Sequence, residues 1–320
     1  MLAAGALSTD KTNISHSGAG TLEFNAPFGG WTAGWTAANN SNPVLVRDGL
    51  TSYASWLSQN LILLSGFNPS DSGPRAYLRN TPSSGVADVS FIFGAAGDKI
   101  LMCDTNNDGI ATPMSVHPEP NGTLTWKSRA TNALDSWIYA TLTYGHNGDT
   151  PVCGDWDGNG TQTPGVVWAN NKLNWDLTDY LNGGAASRGS CVYGNPGNIP
   201  VVGDWDGNRT QTPGIVWANG SSLVWELKDD TGAGPITHHF PYGSVGNSPV
   251  VGDWNGNGID TPGVVWASGG TLKWDLTDNF NGGAPSRTTV TYGNAGWTPT
   301  SGRPLVAGNT VSGLVVLAPQ

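Results

Sequence analysis

Oxygen-bearing side chains recur at one fixed spacing along the chain. In the segment 155–163, Asp155, Asp157, Asn159 and Thr163 occupy positions 1, 3, 5 and 9 of a loop. Calcium-binding loops use this order to surround a hard cation with oxygens. The further candidate ligands are Asp204, Asp206, Asn208 and Thr212; Asp253, Asn255, Asn257 and Thr261; and, in a weaker version, Asp104, Asn106, Asp108 and Thr112. The loops therefore predict weak calcium sites.

These loops differ from an EF-hand. Position 12, where that motif has a bidentate Glu, is Val166, Ile215 and Val264 in the three clearest copies. Three loops carry two carboxylates, and the loop at Asp253 carries one unless Asp260 joins it. Calcium affinity is therefore expected only in the range of roughly 10⁻⁴ to 10⁻³ M. The alternative is that these side chains hydrogen-bond their own backbone as Asx-turns and need no ion.

Tryptophan recurs at three positions of the same repeating segment. A buried indole removes about 150 to 250 Å² from water, so structural packing is the leading explanation. Alternatively, one set faces outward and stacks on sugar rings, which gives several equivalent weak sites. Trp156, Trp205 and Trp254 are the predicted ligand-binding residues, because they lie in the turn at the edge of the unit. The other sets are Trp168, Trp217 and Trp266, and Trp175, Trp225 and Trp274.

Signals for catalysis are poor. Asp230-Thr-Gly232 spells the aspartic-protease triplet, but it occupies the same inter-strand loop as unrelated sequences in the other copies. His238 and His239 are adjacent in a predicted strand and point to opposite faces, so they cannot chelate one metal ion. Most acids fall at equivalent positions of the repeat, as structural residues do. We predict no catalytic residue, and a glycan hydrolase remains the enzymatic alternative.

These residues belong to a unit that the chain repeats. The segment 151–168 returns as 200–217 and as 249–266, with a period of 49 residues. Within one copy, alternating apolar residues and turn formers predict four short strands, at about 201–205, 214–218, 223–227 and 237–242. Four antiparallel strands per unit of this length are typical of a β-propeller blade.

Degenerate copies extend the repeat in both directions. One copy begins near residue 97, and a last copy, near residue 296, supplies only two strands before the chain ends. Upstream, the segments at Tyr77 and Phe91 have the pattern of the two missing strands. We therefore predict an all-β, five-bladed propeller over residues 76–320, in which 314–318 pairs with these segments in one composite blade.

The repeat resembles a known family. Gly-Asp-Trp-Asp-Gly-Asn-Gly followed by Thr-Pro-Gly-Val-Val-Trp, with Tyr-Leu-Arg-Asn and Phe-Ile-Phe-Gly upstream, is similar to the FG-GAP and VCBS-like repeats. The resemblance covers about three quarters of the chain. It implies a propeller in a secreted or surface-exposed protein that adheres or binds ligands.

Composition limits the classes of partner. The formal net charge is −10 and only 12% of residues are charged, so a nucleic-acid partner is not expected. No apolar stretch reaches the length of about 18 residues that spans a membrane. The N-terminal residues lack the pattern of a secretory signal, whereas Asn-, Thr-, Gly- and Trp-rich repeats suit a protein outside the cell. We therefore expect an extracellular or virion-associated protein, and favour a component of a phage particle.

Cysteine usage is sparse. Cys103, Cys153 and Cys191 have no CxxC spacing, and an odd count argues against a disulfide framework. Cys103 and Cys153 fall in the first strands of neighbouring blades, where we expect them to act as small buried hydrophobic side chains.

Residues 1–75 match no repeat. They are rich in Gly, Ser, Thr and Asn, include Trp31 and Trp35, and contain one stretch, 52–64, that suits either a helix or a buried strand. We expect a small β-rich segment that docks the propeller to other proteins of its assembly; the alternative is a subdomain without a partner. The predicted function is non-enzymatic recognition of surface glycans, and a purely structural capsid or tail component is the second hypothesis.

Overall fold

The computed structural model of the protein describes residues 73–318 except 134, 135, 189, 233, 304, 307 and 308, together with two strands nearer the N terminus. The chain divides into two compact units, Met1–Asn68 with Ala133–Ser136, and Pro69–Asn132 with Trp137–Gln320. In the first unit, β1 (Gly20–Phe24) pairs antiparallel with β2 (Trp31–Trp35). The stretch 52–64 lies outside the described residues.

The described part of the second unit folds into five four-stranded antiparallel sheets, which we number as blades in chain order. Blade 1 contains β5 (Lys99–Cys103), β6 (Thr112–Pro118), β7 (Thr123–Arg129) and β8 (Ile138–His146). Blade 2 contains β9 (Thr150–Gly154), β10 (Thr163–Ala169), β11 (Leu173–Leu177) and β12 (Ser190–Val192). Blade 3 contains β13 (Ile199–Gly203), β14 (Thr212–Asn219), β15 (Ser222–Leu227) and β16 (His238–Ser244). Blade 4 contains β17 (Ser248–Gly252), β18 (Thr261–Ser268), β19 (Thr271–Leu276) and β20 (Val290–Asn294).

Blade 5 is composite and joins the two ends of the repeat region. It contains β21 (Thr298–Gly302), β22 (Gly313–Ala318), β3 (Arg75–Arg79) and β4 (Val89–Ile92), in that order across the sheet. Val316 of β22 lies opposite Tyr77 of β3, and Ala76 lies opposite Phe91 of β4. The predicted composite blade is therefore confirmed, and each of its halves supplies the pairing partner that the other lacks.

The first strands of the blades surround a common axis. They contact one another in the order β5, β9, β13, β17 and β21, and β21 contacts β5 again. This ring of five blades is a five-bladed β-propeller, as the period and the strand count predict. The described residues include no helix with the length and apolar character needed to cross a membrane.

Alternation along the strands builds the core between the blades. In β15, Leu223, Trp225 and Leu227 are buried while Glu226 on the opposite face is partly exposed. The Trp225 Nε1–H donates to the carbonyl of Tyr242 on β16, at 2.9 Å. The structural role predicted for this set of indoles is confirmed, and Trp126 of blade 1 is a fourth member; Trp126, Trp175, Trp225 and Trp274 are all completely buried.

A disulfide bond links the first strands of blades 1 and 2. Cys103 of β5 and Cys153 of β9 are bonded, with their Cα atoms 6.4 Å apart. The expectation that both act as small hydrophobic side chains without a covalent role is wrong. The odd number of cysteines does not prevent a disulfide, because two of the three are bonded and Cys191 remains a free, buried thiol. Cysteines at nearly the same position of consecutive repeats become neighbours once first strands pack side by side around the axis.

Candidate binding grooves between the blades

The aspartate loops are held by their own hydrogen bonds. Asp155 is 1% exposed, and its carboxylate accepts from the backbone N–H groups of Asn159 and Gly160 at 3.0 and 2.8 Å. Asp157 Oδ1 accepts from the Asn159 N–H at 3.2 Å, and Asn159 Oδ1 accepts from the Thr161 N–H at 2.7 Å. These are the contacts of the Asx-turn alternative, and a calcium ion would have to share the same oxygens.

The other three loops repeat these contacts. Asp204 accepts from Gly207 and Arg209, Asp253 from Gly256 and Gly258, and Asp104 from Asp108 and Gly109. Among the described residues, no cluster of three or more His, Cys, Asp or Glu side chains is arranged to hold a metal ion. Calcium therefore stays a prediction from the loop sequence: the ligands would be the Asp and Asn oxygens at positions 1, 3 and 5.

The loops also clamp neighbouring blades. The Gln211 N–H of blade 3 donates to the Asp155 carbonyl of blade 2 at 2.8 Å, and the Asp155 N–H donates back to Gln211 Oε1 at 3.0 Å. Asp260 and Ser312 make the equivalent contacts at the next two interfaces. Burial raises the pKa of Asp204 to about 6, with a further contribution from nearby Asp260. These structural contacts explain why the aspartates recur in every copy of the repeat, and no bound ligand is needed to account for them.

The predicted sugar-stacking role of Trp156, Trp205 and Trp254 is wrong, because their side chains are buried. Their exposure is only 1%, 2% and 1%. The predicted first strand ran through Trp205, but β13 ends at Gly203, and the indole then folds back against the sheet. A Cβ atom on Gly203 would lie 2.6 Å from the Trp205 ring, so the glycine of the Gly-Asp-Trp motif makes room for the indole.

A different set of indoles reaches the surface. Trp168, Trp217 and Trp266 lie toward the ends of β10, β14 and β18 and are partly exposed. Trp168 Nε1–H donates to Asp176 Oδ2 at 2.9 Å. Trp217 packs edge-to-face with His239, with 5.9 Å between ring centroids. These three residues are not among the ligand-binding residues predicted from the sequence.

Tyr144 of blade 1 lines the same cavity as Trp168 of blade 2, and Tyr193 and Tyr242 hold the equivalent positions, where they pack in the same clusters as Ile215 and Val264 of the next blade. The phenolic oxygens of Tyr144, Tyr193 and Tyr242 are buried and have no hydrogen-bond partner in the part of the chain that the structure describes. The Tyr144 side chain is positioned by the turn that follows it. Gly145 has a φ of +82°, and a Cβ there would lie 2.5 Å from Val166 of blade 2, so only glycine allows this close approach.

An acid of the following blade lies close enough to each phenol to affect its pKa. Burial, and next the nearby Asp176 carboxylate, raises the pKa of Tyr144 above its usual value. Glu226 acts in the same way on Tyr193 and Asp275 on Tyr242, again after burial. These tyrosines therefore remain protonated and able to donate a hydrogen bond at ordinary pH.

The acids are oriented by residues in, or directly before, the fourth strand of their own blade. Ser190 Oγ–H donates to Asp176 Oδ1 at 2.5 Å, and Thr289 Oγ1–H donates to Asp275 Oδ1 at 2.6 Å. In blade 3, His239 Nδ1 lies 2.9 Å from Glu226 Oε1. Each carboxylate is thus held in one direction before any ligand arrives.

Tyr144, Trp168 and Asp176 line a cavity between blades 1 and 2, and by the equivalence of the repeats we name the corresponding residues of the next two interfaces as two further grooves. Groove 1–2 contains Tyr144, Trp168 and Asp176; groove 2–3 contains Tyr193, Trp217 and Glu226; and groove 3–4 contains Tyr242, Trp266 and Asp275. Groove 1–2 is a cavity of about 690 Å³ that is also lined by His146 and Asp149. This volume falls within the range of roughly 300 to 1,000 Å³ that small-molecule sites occupy.

The remaining two interfaces differ. Between blades 5 and 1, Phe93 stands where the grooves have tyrosine, His117 where they have tryptophan and Lys127 where they have an acid. Between blades 4 and 5, Tyr292 again has a buried phenolic oxygen without a described partner, but Trp297 stacks on Tyr77 at 4.7 Å between ring centroids. The phenol, indole and carboxylate therefore occur together at three of the five interfaces.

The Asp230 triplet and the histidine pair, which resemble catalytic or metal-binding motifs, make structural contacts. Asp230 Oδ1 accepts from the Gly232 N–H at 2.7 Å, which forms a turn. His238 stacks on Phe280, with 4.1 Å between ring centroids, while His239 contacts Glu226.

Comparison of the chain with protein-family models, with curated proteins and with solved structures gives no match.

Proposed function

We propose that this protein is a non-enzymatic, extracellular recognition protein whose propeller binds glycans in the three inter-blade grooves. The observation that supports this most strongly is the threefold repetition of a partly exposed indole, an oriented carboxylate and a buried phenol without a partner. A phenol that is buried and unsatisfied costs free energy in the unbound protein. Tyr292 has such a phenol as well, so it is the combination of phenol, indole and carboxylate at three interfaces that favours a ligand.

The chemistry of the grooves suits a sugar ring. An indole offers a flat apolar face to the C–H groups of the ring, while the carboxylate contacts polar atoms at the edge. A carboxylate accepts hydrogen bonds from hydroxyl groups, and a neutral phenol both donates and accepts. Single grooves of this kind bind weakly, so three on one molecule would raise the overall affinity for a surface that carries many copies of the glycan.

The disulfide supports a location outside the reducing cytosol. Disulfides persist in secreted proteins and on virion or cell surfaces, and are rare where thiols are kept reduced. We extend the proposal to a virion or surface protein in which residues 1–75 attach the propeller to other proteins. This part of the proposal rests on the sequence, because most of that segment lies outside the described residues.

The test is glycan-array binding by the full chain and by a triple variant, Trp168→Ala with Trp217→Ala and Trp266→Ala. We expect array binding by the wild type and its loss in the variant. The matched control is His117→Ala, which changes the equivalent position at the interface without the phenol and acid and should leave binding intact.

Two outcomes would contradict the proposal. Absence of binding to any glycan, with normal unfolding, would favour the purely structural alternative. Release of sugar from an array glycan by purified protein would instead favour the glycan hydrolase.

A further inference from the structure

We infer that each inter-blade groove takes a neutral, hydroxyl-bearing sugar ring, one hydroxyl of which bridges the buried phenol and the carboxylate of the next blade, and that sugar acids are excluded. This inference rests on the proposed function and specifies its ligand class. It concerns three sites: Tyr144 with Asp176, Tyr193 with Glu226, and Tyr242 with Asp275.

The proposed position of the ligand hydroxyl lies between the phenol and the carboxylate, which make no hydrogen bond to each other. Tyr144 and Asp176 line the same cavity, yet the Tyr144 phenolic oxygen makes no hydrogen bond to any described residue. Two polar groups that face each other beyond hydrogen-bond distance are commonly bridged by an intervening oxygen. A ligand hydroxyl fits this position, because it accepts from the phenol and donates to the carboxylate.

The interface between blades 5 and 1 supports the view that the phenol and the acid act together. There the acid is replaced by Lys127, and the tyrosine by Phe93, which is 4% exposed and fills the same buried position without an oxygen. A phenyl ring therefore satisfies the packing between blades by itself. The hydroxyl also occurs at Tyr292, where Tyr77 takes the position of the acid, but every interface that has the acid also has the phenol, which points to a role for the phenol and acid as a pair.

Charge determines the ligand class. In groove 1–2 a ligand carboxylate would approach Asp176 and Asp149, on a chain whose formal net charge is −10. Like charges at close range disfavour binding, and a hydroxyl lacks this penalty. Groove 2–3 is the least selective of the three, because Lys228 Nζ lies 5.1 Å from the Tyr193 ring centroid and His239 contacts Glu226.

The competing explanation is a structural water between phenol and acid. Buried waters commonly satisfy polar groups that lack protein partners. The two explanations predict opposite effects of removing the phenolic oxygen. If water fills the gap as part of the fold, Tyr→Phe lowers stability; if the gap serves a ligand, Tyr→Phe leaves stability unchanged or raises it and weakens binding.

The experiment uses the full chain and the triple variant Tyr144→Phe, Tyr193→Phe and Tyr242→Phe, with Tyr292→Phe as the control between blades 4 and 5, where Tyr77 and Ala318 take the positions of Asp176 and Trp168. Calorimetric titration compares the methyl glycosides of glucose, galactose, mannose and N-acetylglucosamine with glucuronic acid and N-acetylneuraminic acid. We expect at least one neutral glycoside to bind at about three sites per chain, with at least tenfold weaker binding in the triple variant and an unchanged or higher unfolding midpoint.

The results separate this inference from the function on which it rests. Binding of the sugar acids as tightly as the neutral glycosides, or unchanged neutral-sugar binding in the triple variant, would overturn the inference while leaving tryptophan-dependent recognition standing. A lower unfolding midpoint with unchanged affinity would assign the phenols to structural waters. Absence of any tryptophan-dependent sugar binding would overturn the proposed function and the inference together.

Discussion

Removal of the Cys103–Cys153 disulfide should lower the free energy of unfolding substantially. The two cysteines are separated by 50 residues, so the bond closes a long loop between the first strands of blades 1 and 2. In the chain-entropy description, a loop of this length restricts the unfolded chain by about 4 kcal/mol at 25 °C. That is a change of almost a thousandfold in the ratio of folded to unfolded protein.

The measurement is equilibrium unfolding in urea, followed by tryptophan fluorescence, of the wild type and of a Cys103→Ser, Cys153→Ser variant. Cys191→Ser is the control, because that thiol is free and its replacement leaves the loop closed. Reductant should destabilise the wild type and the control alike, and should not affect the double variant. Three titratable thiols in unfolded, unreduced protein, or a double variant as stable as the wild type, would refute the reasoning.

Three further predictions concern the loops around the axis. The pKa of Asp204 is raised from 3.8 to about 6, so the folded protein binds more protons than the unfolded protein between these pH values. The free energy of unfolding should therefore fall by up to about 3 kcal/mol as pH rises from 4 to 7. Urea unfolding across this range should show a smaller dependence of that free energy on pH in Asp204→Asn. Gly203→Ala should cost about 1 to 3 kcal/mol because its Cβ would overlap the Trp205 ring, whereas Gly232→Ala, whose Cβ would meet only Asp230 at 3.4 Å, should be nearly neutral in the same assay. If the Asx-turns need no ion, the unfolding midpoint in EDTA and in millimolar calcium should agree, and a higher midpoint in calcium would establish the ion sites predicted from the sequence.

The period of the repeat was sufficient to predict the architecture. Each blade needs four strands, and equivalent residues such as Trp175 and Trp225 occupy equivalent buried positions, so comparing copies identifies the core. The composite blade was also predictable, because Val316 and Tyr77 belong to half-units that each lack pairing partners. Strand ends were less accurate: β13 stops at Gly203, two residues before the predicted end, and that difference reverses the expected exposure of Trp205.

Comparing the copies of the repeat does not predict which residues of neighbouring blades contact each other. Comparing copies aligns Cys103 approximately with Cys153 as alternatives for one position, whereas the ring places them side by side and bonds them. The same limitation hid Tyr144 and Asp176, which lie at different positions of consecutive copies and meet only when blade 1 packs against blade 2. A repeat protein builds such sites from two copies, so neither copy shows the site by itself.

A signal for the grooves is nevertheless present in the sequence. In a closed ring, a residue late in one copy faces a residue in the middle of the next, and changes at both positions should then occur together. Between blades 5 and 1, Phe93 and Lys127 change together relative to Tyr144 and Asp176, whereas between blades 4 and 5 only the acid position changes, to Tyr77, and the phenol of Tyr292 is kept. Because a phenyl ring packs as well as a phenol in this position, packing alone does not require the hydroxyl to accompany the acid. The joint change is what a shared hydrogen-bonding task across the blade interface would produce, and it connects the periodic sequence to the proposed recognition of neutral sugars.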